Sequence, residues 1–151
     1  MAQSLSQIYL PLVFSTKNRA LFLSDQAFRA KCHASLAGTC ENLQCTALVI
    51  SGVADPVHIV CRLAKGLSFS VLIRELKRSS SQWVKEQDAG LSDFYWQNCY
   101  GAFSVSPGPI DALKQYIGEQ EEHHRQESYQ EELRRLLRKY GITYDEGYVW
   151  D

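Results

Sequence analysis

The chain reads as an α/β (α+β) protein of the ferredoxin-like split βαβ kind, with a mainly antiparallel sheet, helices on one face and additional C-terminal helices. Three observations predict this. Apolar runs of strand length alternate with stretches of helical periodicity, in the order β-α-β-β-α-β-α-α. Two strand runs, Cys45 to Val53 and Val57 to Leu63, are separated only by Ala54-Asp55-Pro56, a hairpin spacing. Ser106-Pro107-Gly108-Pro109 then breaks the chain, and helical patterns follow it.

Ile8 to Thr16 is rich in β formers, but Pro11 cannot donate to a ladder, which predicts an edge strand or a bulge. Ser24 to Leu43 reads as a helix capped by Ser24, with Phe28, Cys32, Leu36, Cys40 and Leu43 on one face. Ser68 to Glu86 is a second helix whose apolar face carries Phe69, Leu72, Ile73, Leu76, Trp83 and Val84. Tyr100 to Val105 reads as the last strand. Pro109 suits the first turn of a third helix with Ile110, Leu113 and Ile117 as its stripe. Ser128 and Glu131 form a capping box for a final helix that stops at Gly141.

At 151 residues the chain is most simply one domain, 1–151, long enough to bury a core. Its 45% hydrophobic and 22% charged residues are those of an ordinary soluble protein. No apolar run is long enough for a membrane span, and the N-terminus lacks a basic signal-peptide region. The five cysteines include no Cys-x-x-Cys pair, which predicts reduced thiols in a cytoplasmic protein and no zinc site. A net charge of −1 gives no global attraction for phosphate, so nucleic-acid affinity has to come from local clusters.

Such clusters exist. Lys17 and Arg19 follow the first strand, and Arg74, Lys77 and Arg78 precede Ser79-Ser80-Ser81. Both read as candidate phosphate contacts, with solvated helix faces as the bland alternative. Arg134, Arg135, Arg138 and Lys139 are interleaved with Glu131 and Glu132, and there the solvated face is favoured. Tyr95, Trp96, Tyr100 and Phe103 are available for base stacking or for packing. On the third helix Tyr116 and Gln120 share a face, and His123 and His124 continue it. On the second hairpin strand, alternation points position 56 and His58 the same way, where two side chains can share a metal pocket.

Asp55-Pro56-Val57-His58-Ile59-Val60 and Tyr116-Ile117-Gly118-Glu119-Gln120 resemble the two halves of one active site. With segments 9–19, 75–86, 95–107 and 133–151, they make the chain similar over most of its length to single-tyrosine HUH transposases. These belong to small bacterial insertion sequences, with relatives that act on repetitive extragenic palindromes. The resemblance implies binding of hairpin or single-stranded DNA and its cutting and rejoining through a 5′-phosphotyrosine. It implies a homodimer with a shared sheet and a Mg²⁺ or Mn²⁺ cofactor. Tyr116 is then the nucleophile, and His58 and Gln120 are metal ligands.

Two positions depart from the family pattern. Pro56 stands where the first histidine of the His-hydrophobic-His motif belongs, and Pro11 replaces a common first-strand histidine. Loss of a ligand weakens the expected metal site, with His123 or His124 as candidate replacements. The alternative reading is therefore a catalytically inactive hairpin or single-stranded DNA-binding or regulatory protein. A third is an RNA-binding module stacking bases on an open sheet, although the strand offers Val57, Ile59 and Cys61 rather than aromatics.

Overall fold

The structure is a computed structural model that describes residues 3–119 and 127–151. Its elements follow the expected order: β1 (Tyr9–Ser15), α1 (Gln26–Asn42), β2 (Thr46–Gly52), β3 (Pro56–Arg62), α2 (Phe69–Gln87), β4 (Gly101–Ala102), α3 (Ile110–Gly118) and α4 (Tyr129–Lys139). The strands form one antiparallel sheet in the order β2-β3-β1-β4.

Strand alternation divides the sheet into two faces. Leu10, Leu12 and Phe14 of β1 and Val57, Ile59 and Cys61 of β3 point into the main core. There they meet Cys32, Leu36 and Cys40 of α1 and Leu72, Leu76 and Val84 of α2. The opposite face carries Val13 and His58, which are cross-strand partners. A second core of Val13, Phe103, Tyr129, Leu133 and Leu137 seats α4 on that face. The three residues expected to face the open sheet are thus in the main core, and the other face is covered. This removes the platform that the RNA-binding reading needs.

Gly101 leaves room for this covering. A Cβ there would meet Val13 Cγ1 at 2.8 Å, Phe103 Cε2 at 3.0 Å and Leu133 Cδ1 at 3.2 Å, so a side chain at this position would crowd both β1 and the Leu133 side chain of α4. The C-terminal residues hold α4 from outside. Arg134 forms a two-pronged ion pair with Glu146 at 2.6 and 3.0 Å, and its guanidinium lies over Trp150.

Several local expectations need correction. The cap of α1 is Asp25, whose carboxylate accepts from Phe28 N–H; the Ser24 hydroxyl instead donates to the Leu21 carbonyl. Phe69 is half exposed rather than part of the buried stripe of α2. The last strand shrinks to Gly101–Ala102, with Val105 making one isolated bridge to Tyr9. Pro109 is the N-cap of α3 rather than its first helical residue. β1 is an interior strand, despite Pro11. The Pro11 carbonyl accepts from Phe103 N–H. Since a strand residue's N and O face the same neighbour, the missing donor falls toward the short β4 and costs no β1–β3 bond. The Ser128–Glu131 capping box is present, with both of its reciprocal hydrogen bonds.

Candidate active site

His58 reaches the site because β3 places it on the face opposite the main core, with Pro56 two residues earlier on the same face. Tyr116 arrives from α3, where buried Ile117 anchors the helix and leaves Tyr116 half-buried at its border. Both side chains line one cavity of about 240 Å³, together with Val13, Phe103, Leu113 and Arg135. Two segments far apart in the sequence therefore converge.

They are linked by a residue whose sequence neighbours suggest a solvated face. Glu132 of α4 is 1% exposed. Its Oε1 lies 2.8 Å from His58 Nε2, and its Oε2 accepts a hydrogen bond from the Tyr116 hydroxyl at 3.2 Å. Arg135, one turn further along α4, donates from Nη2 to Tyr116 Oη at 2.8 Å. The Arg135 guanidinium is held in turn by Glu127 through two bonds of 3.0 and 3.1 Å. The signal for Glu132 was in the sequence. Tyr129, Leu133, Leu136 and Leu137 define an apolar stripe, and position 132 falls inside it. A carboxylate inside such a stripe is buried, and a buried carboxylate needs partners.

The environment raises the Tyr116 phenol above its ordinary value, first through burial and then through the Glu132 carboxylate. Arg135 opposes both, by charge and by its hydrogen bond. The phenol is thus protonated at neutral pH, with a carboxylate and a cation on its oxygen.

Gln120, His123 and His124 lie outside the described residues. Among the described residues, no group of three or more His, Cys, Asp or Glu side chains gathers as a metal centre. Of the donors that do converge, the carboxylate oxygens are of the kind that Mn²⁺ and Mg²⁺ prefer, and the imidazole nitrogen suits the softer Mn²⁺ better than Mg²⁺. Pro56 is buried on the same face and brings no donor.

The predicted phosphate contacts divide. Lys17 and Arg19 are exposed in a single 3-10 turn, and Arg19 follows Asn18 into the left-handed region at φ 54°. Arg74 and Arg78 are exposed on α2, and both pair with Glu75. Lys77 is turned inward. Its ammonium donates to the carbonyls of Gln97, Asn98 and Cys99 at 2.7, 3.2 and 3.1 Å. All three donors serve the chain itself, so Lys77 holds a loop where binding to phosphate was expected. Trp96 is likewise buried, donating to Ser80 Oγ, whereas Tyr95 is half exposed with Lys85 over its ring. The five cysteines are free, and burial pushes the Cys32, Cys40 and Cys61 thiols up to about 12. Among the described residues no helix is long and apolar enough to cross a membrane.

The sheet thus carries α1 and α2 on one face and α4 on the other, with Tyr116 of α3 beside His58. The family model described as "Transposase IS200 like" matches residues 4–120, and the chain belongs to that family. Two solved structures share the fold. One, from Deinococcus radiodurans R1 and described as a candidate transposase, is 17% identical with a TM-score of 0.61, over 78% of this chain and 95% of that one. The other is a REP-associated tyrosine transposase bound to a REP hairpin, 15% identical with a TM-score of 0.56, over 78% of this chain and 70% of that one. No curated protein matches the chain.

Proposed function

We propose that the chain is a single-tyrosine strand transferase that cuts and rejoins hairpin-associated single-stranded DNA through a covalent bond to Tyr116. The observation that carries this reading is the convergence of Tyr116 and His58 on one cavity, joined through Glu132. The Tyr116 oxygen attacks phosphorus, the P–O3′ bond breaks, and the phenol proton leaves toward solvent or a neighbouring base. The product is a 5′-phosphotyrosine and a free 3′-hydroxyl once the departing oxygen takes a proton. Arg135 is placed to stabilise the phenolate before attack and the phosphate oxygens during it.

The expected cofactor is Mg²⁺ or Mn²⁺, with His58 and, by resemblance, Gln120 as ligands. When bound, such an ion supplies charge that polarises the phosphate and stabilises the departing oxygen. Exposed Lys17, Arg19, Arg74 and Arg78 are the proposed phosphate contacts on DNA. The structure of a relative bound to a REP hairpin supports hairpin DNA as the substrate class. A homodimer is the proposed assembly, supported by the position of β2 at a sheet edge.

The test is incubation with single-stranded DNA carrying a hairpin, in Mn²⁺, followed by a denaturing gel. Wild-type protein is expected to form a slow-migrating covalent adduct, and Tyr116→Phe none. The second reading, a binding protein without catalysis, is favoured specifically by Pro56. It predicts retained hairpin binding with no adduct. In either case binding should weaken steeply with salt. Replacing Arg74 or Arg78 with a neutral residue should flatten that slope by about one unit for each phosphate no longer neutralised.

A further inference from the structure

Pro56 is buried and brings no donor atom to the pocket that His58 lines. Position 56 lies on the His58 side of β3. On the same side, a carboxylate from a different element points at the same imidazole. Glu132 Oε1 is 2.8 Å from His58 Nε2, while the other oxygen of Glu132 holds the Tyr116 hydroxyl.

We propose that Glu132 supplies the metal ligand that Pro56 cannot, so that His58 and Glu132 form a divalent-cation site beside Tyr116. This inference rests on reading the chain as a metal-assisted strand transferase, and it names the residue that keeps the site functional.

Spacing, cost and chemistry all favour this assignment. Two atoms bound at neighbouring corners of an octahedral ion, each about 2.1 Å from it, stand roughly 3 Å apart. The observed 2.8 Å between His58 Nε2 and Glu132 Oε1 is close to this spacing. A carboxylate that is 1% exposed, within an apolar helical stripe, is expensive to keep. A leucine would fill position 132 of that stripe at no such cost. Mg²⁺ keeps several waters and is held by one or two carboxylates plus substrate phosphate oxygens, so few protein donors suffice. Exchanging an imidazole for a carboxylate adds a negative charge and favours oxygen-loving Mg²⁺ and Mn²⁺ over softer ions. The second Glu132 oxygen, bonded to Tyr116, ties the position of the nucleophile to that of the ion.

The experiment measures Mn²⁺ binding to the full chain, by calorimetry and by the paramagnetic signal of free Mn²⁺, with and without hairpin DNA. No cleavage is needed. Wild type is expected to bind one Mn²⁺, and Glu132→Gln and His58→Ala to bind it at least tenfold more weakly. Gln keeps the volume and can hydrogen-bond both neighbours, and thermal unfolding of the metal-free variants verifies that the fold persists. The decisive variant is Glu132→Gln combined with Pro56→His, which should regain most of the lost affinity by returning a ligand to position 56. If Glu132→Gln unfolds, Glu132→Met takes its place, since it fills the same apolar stripe without a donor oxygen; it should also bind Mn²⁺ at least tenfold more weakly, and wild-type affinity in it overturns the proposal. A folded Glu132→Gln protein with wild-type Mn²⁺ affinity overturns the proposal. So does wild-type protein that binds no Mn²⁺ with or without DNA. Failure of the cleavage reading looks different: Mn²⁺ binds, depends on Glu132, and no Tyr116 adduct forms.

Discussion

Arg135 donates a 2.8 Å hydrogen bond to the oxygen of Tyr116. The same oxygen donates to Glu132, so the phenol stands between a cation and an anion supplied by one helix, α4. The two neighbours act oppositely. The carboxylate and burial hold the phenol in its neutral form, and the guanidinium favours the phenolate that must form for attack. Glu127 holds Arg135 in place, so this opposition is built into the fold.

Replacing Arg135 with Met should therefore raise the Tyr116 phenol further. Alkaline titration of tyrosinate absorbance, with Tyr116→Phe subtracted, reads this directly. Adduct formation should slow by about 10²-fold, the usual effect of removing one donor from a developing oxyanion. An unchanged titration would show that Arg135 does not sense the phenolate.

Gly101→Ala should disturb the site without touching it. The added methyl would meet Val13 Cγ1 at 2.8 Å and Leu133 Cδ1 at 3.2 Å. Since the Val13, Phe103 and Leu133 side chains must give way, we expect a loss of roughly 1–3 kcal/mol in denaturant unfolding. Adduct formation should fall with it, because Leu133 is adjacent to Glu132. Full stability in this variant would mean that α4 does not depend on the close approach.

Lys77→Met should behave as a stability variant. It removes three bonds from a cation to loop carbonyls, and a cost of about 2 kcal/mol is expected. Burial lowers the Lys77 ammonium to about 8, against 10.5 for the free side chain. Between those values the unfolded chain holds the extra proton, so the stability contributed by Lys77 rises with pH through that window. The gap in urea midpoint between wild type and Lys77→Met should widen from pH 8 upward. The salt slope of DNA binding should stay the same, whereas a residue bound to phosphate would reduce it when replaced.

Pro56→His alone should fold and tighten Mn²⁺ binding by about tenfold, since it adds a third donor to the pair. Position 56 is buried opposite Ser15 in the β1–β3 register. The Ser15 hydroxyl is buried and has no hydrogen-bond partner among the described residues, so it can orient an imidazole placed beside it. Affinity unchanged or reduced, in a protein of normal stability, would mean that position 56 does not reach the pocket.

Much of this architecture was legible in the residues. Hairpin spacing around Ala54-Asp55-Pro56, helical repeats in α1 and α2 and the Ser128–Glu131 box are local signals, and each element formed where its signal lay. Strand alternation placed Pro56 and His58 on one face. Long-range pairing was not legible. Nothing local told Lys77 that its ammonium would close on three carbonyls some twenty residues later. β4 is shorter than its β-rich sequence because the continuous ladder to β1 stops at Ala102, beyond which Phe103 N–H reaches the Pro11 carbonyl and Val105 makes one isolated bridge to Tyr9. Glu132 and Arg135 look like surface charges beside their neighbours in sequence. Their roles depend on how α4 is rotated against the sheet, which the apolar stripe and Gly101 together determine.

The most direct measurement is the site of covalent attachment. Wild-type protein, incubated with Mn²⁺ and hairpin-bearing single-stranded DNA, is digested with nuclease and protease and mapped by mass spectrometry. The mass of a 5′-linked nucleotide should appear on the peptide containing Tyr116 and on no other tyrosine. A nucleotide on Tyr129 or Tyr140, or no modified peptide under conditions in which the protein binds both Mn²⁺ and DNA, would contradict the assignment of Tyr116 as the nucleophile.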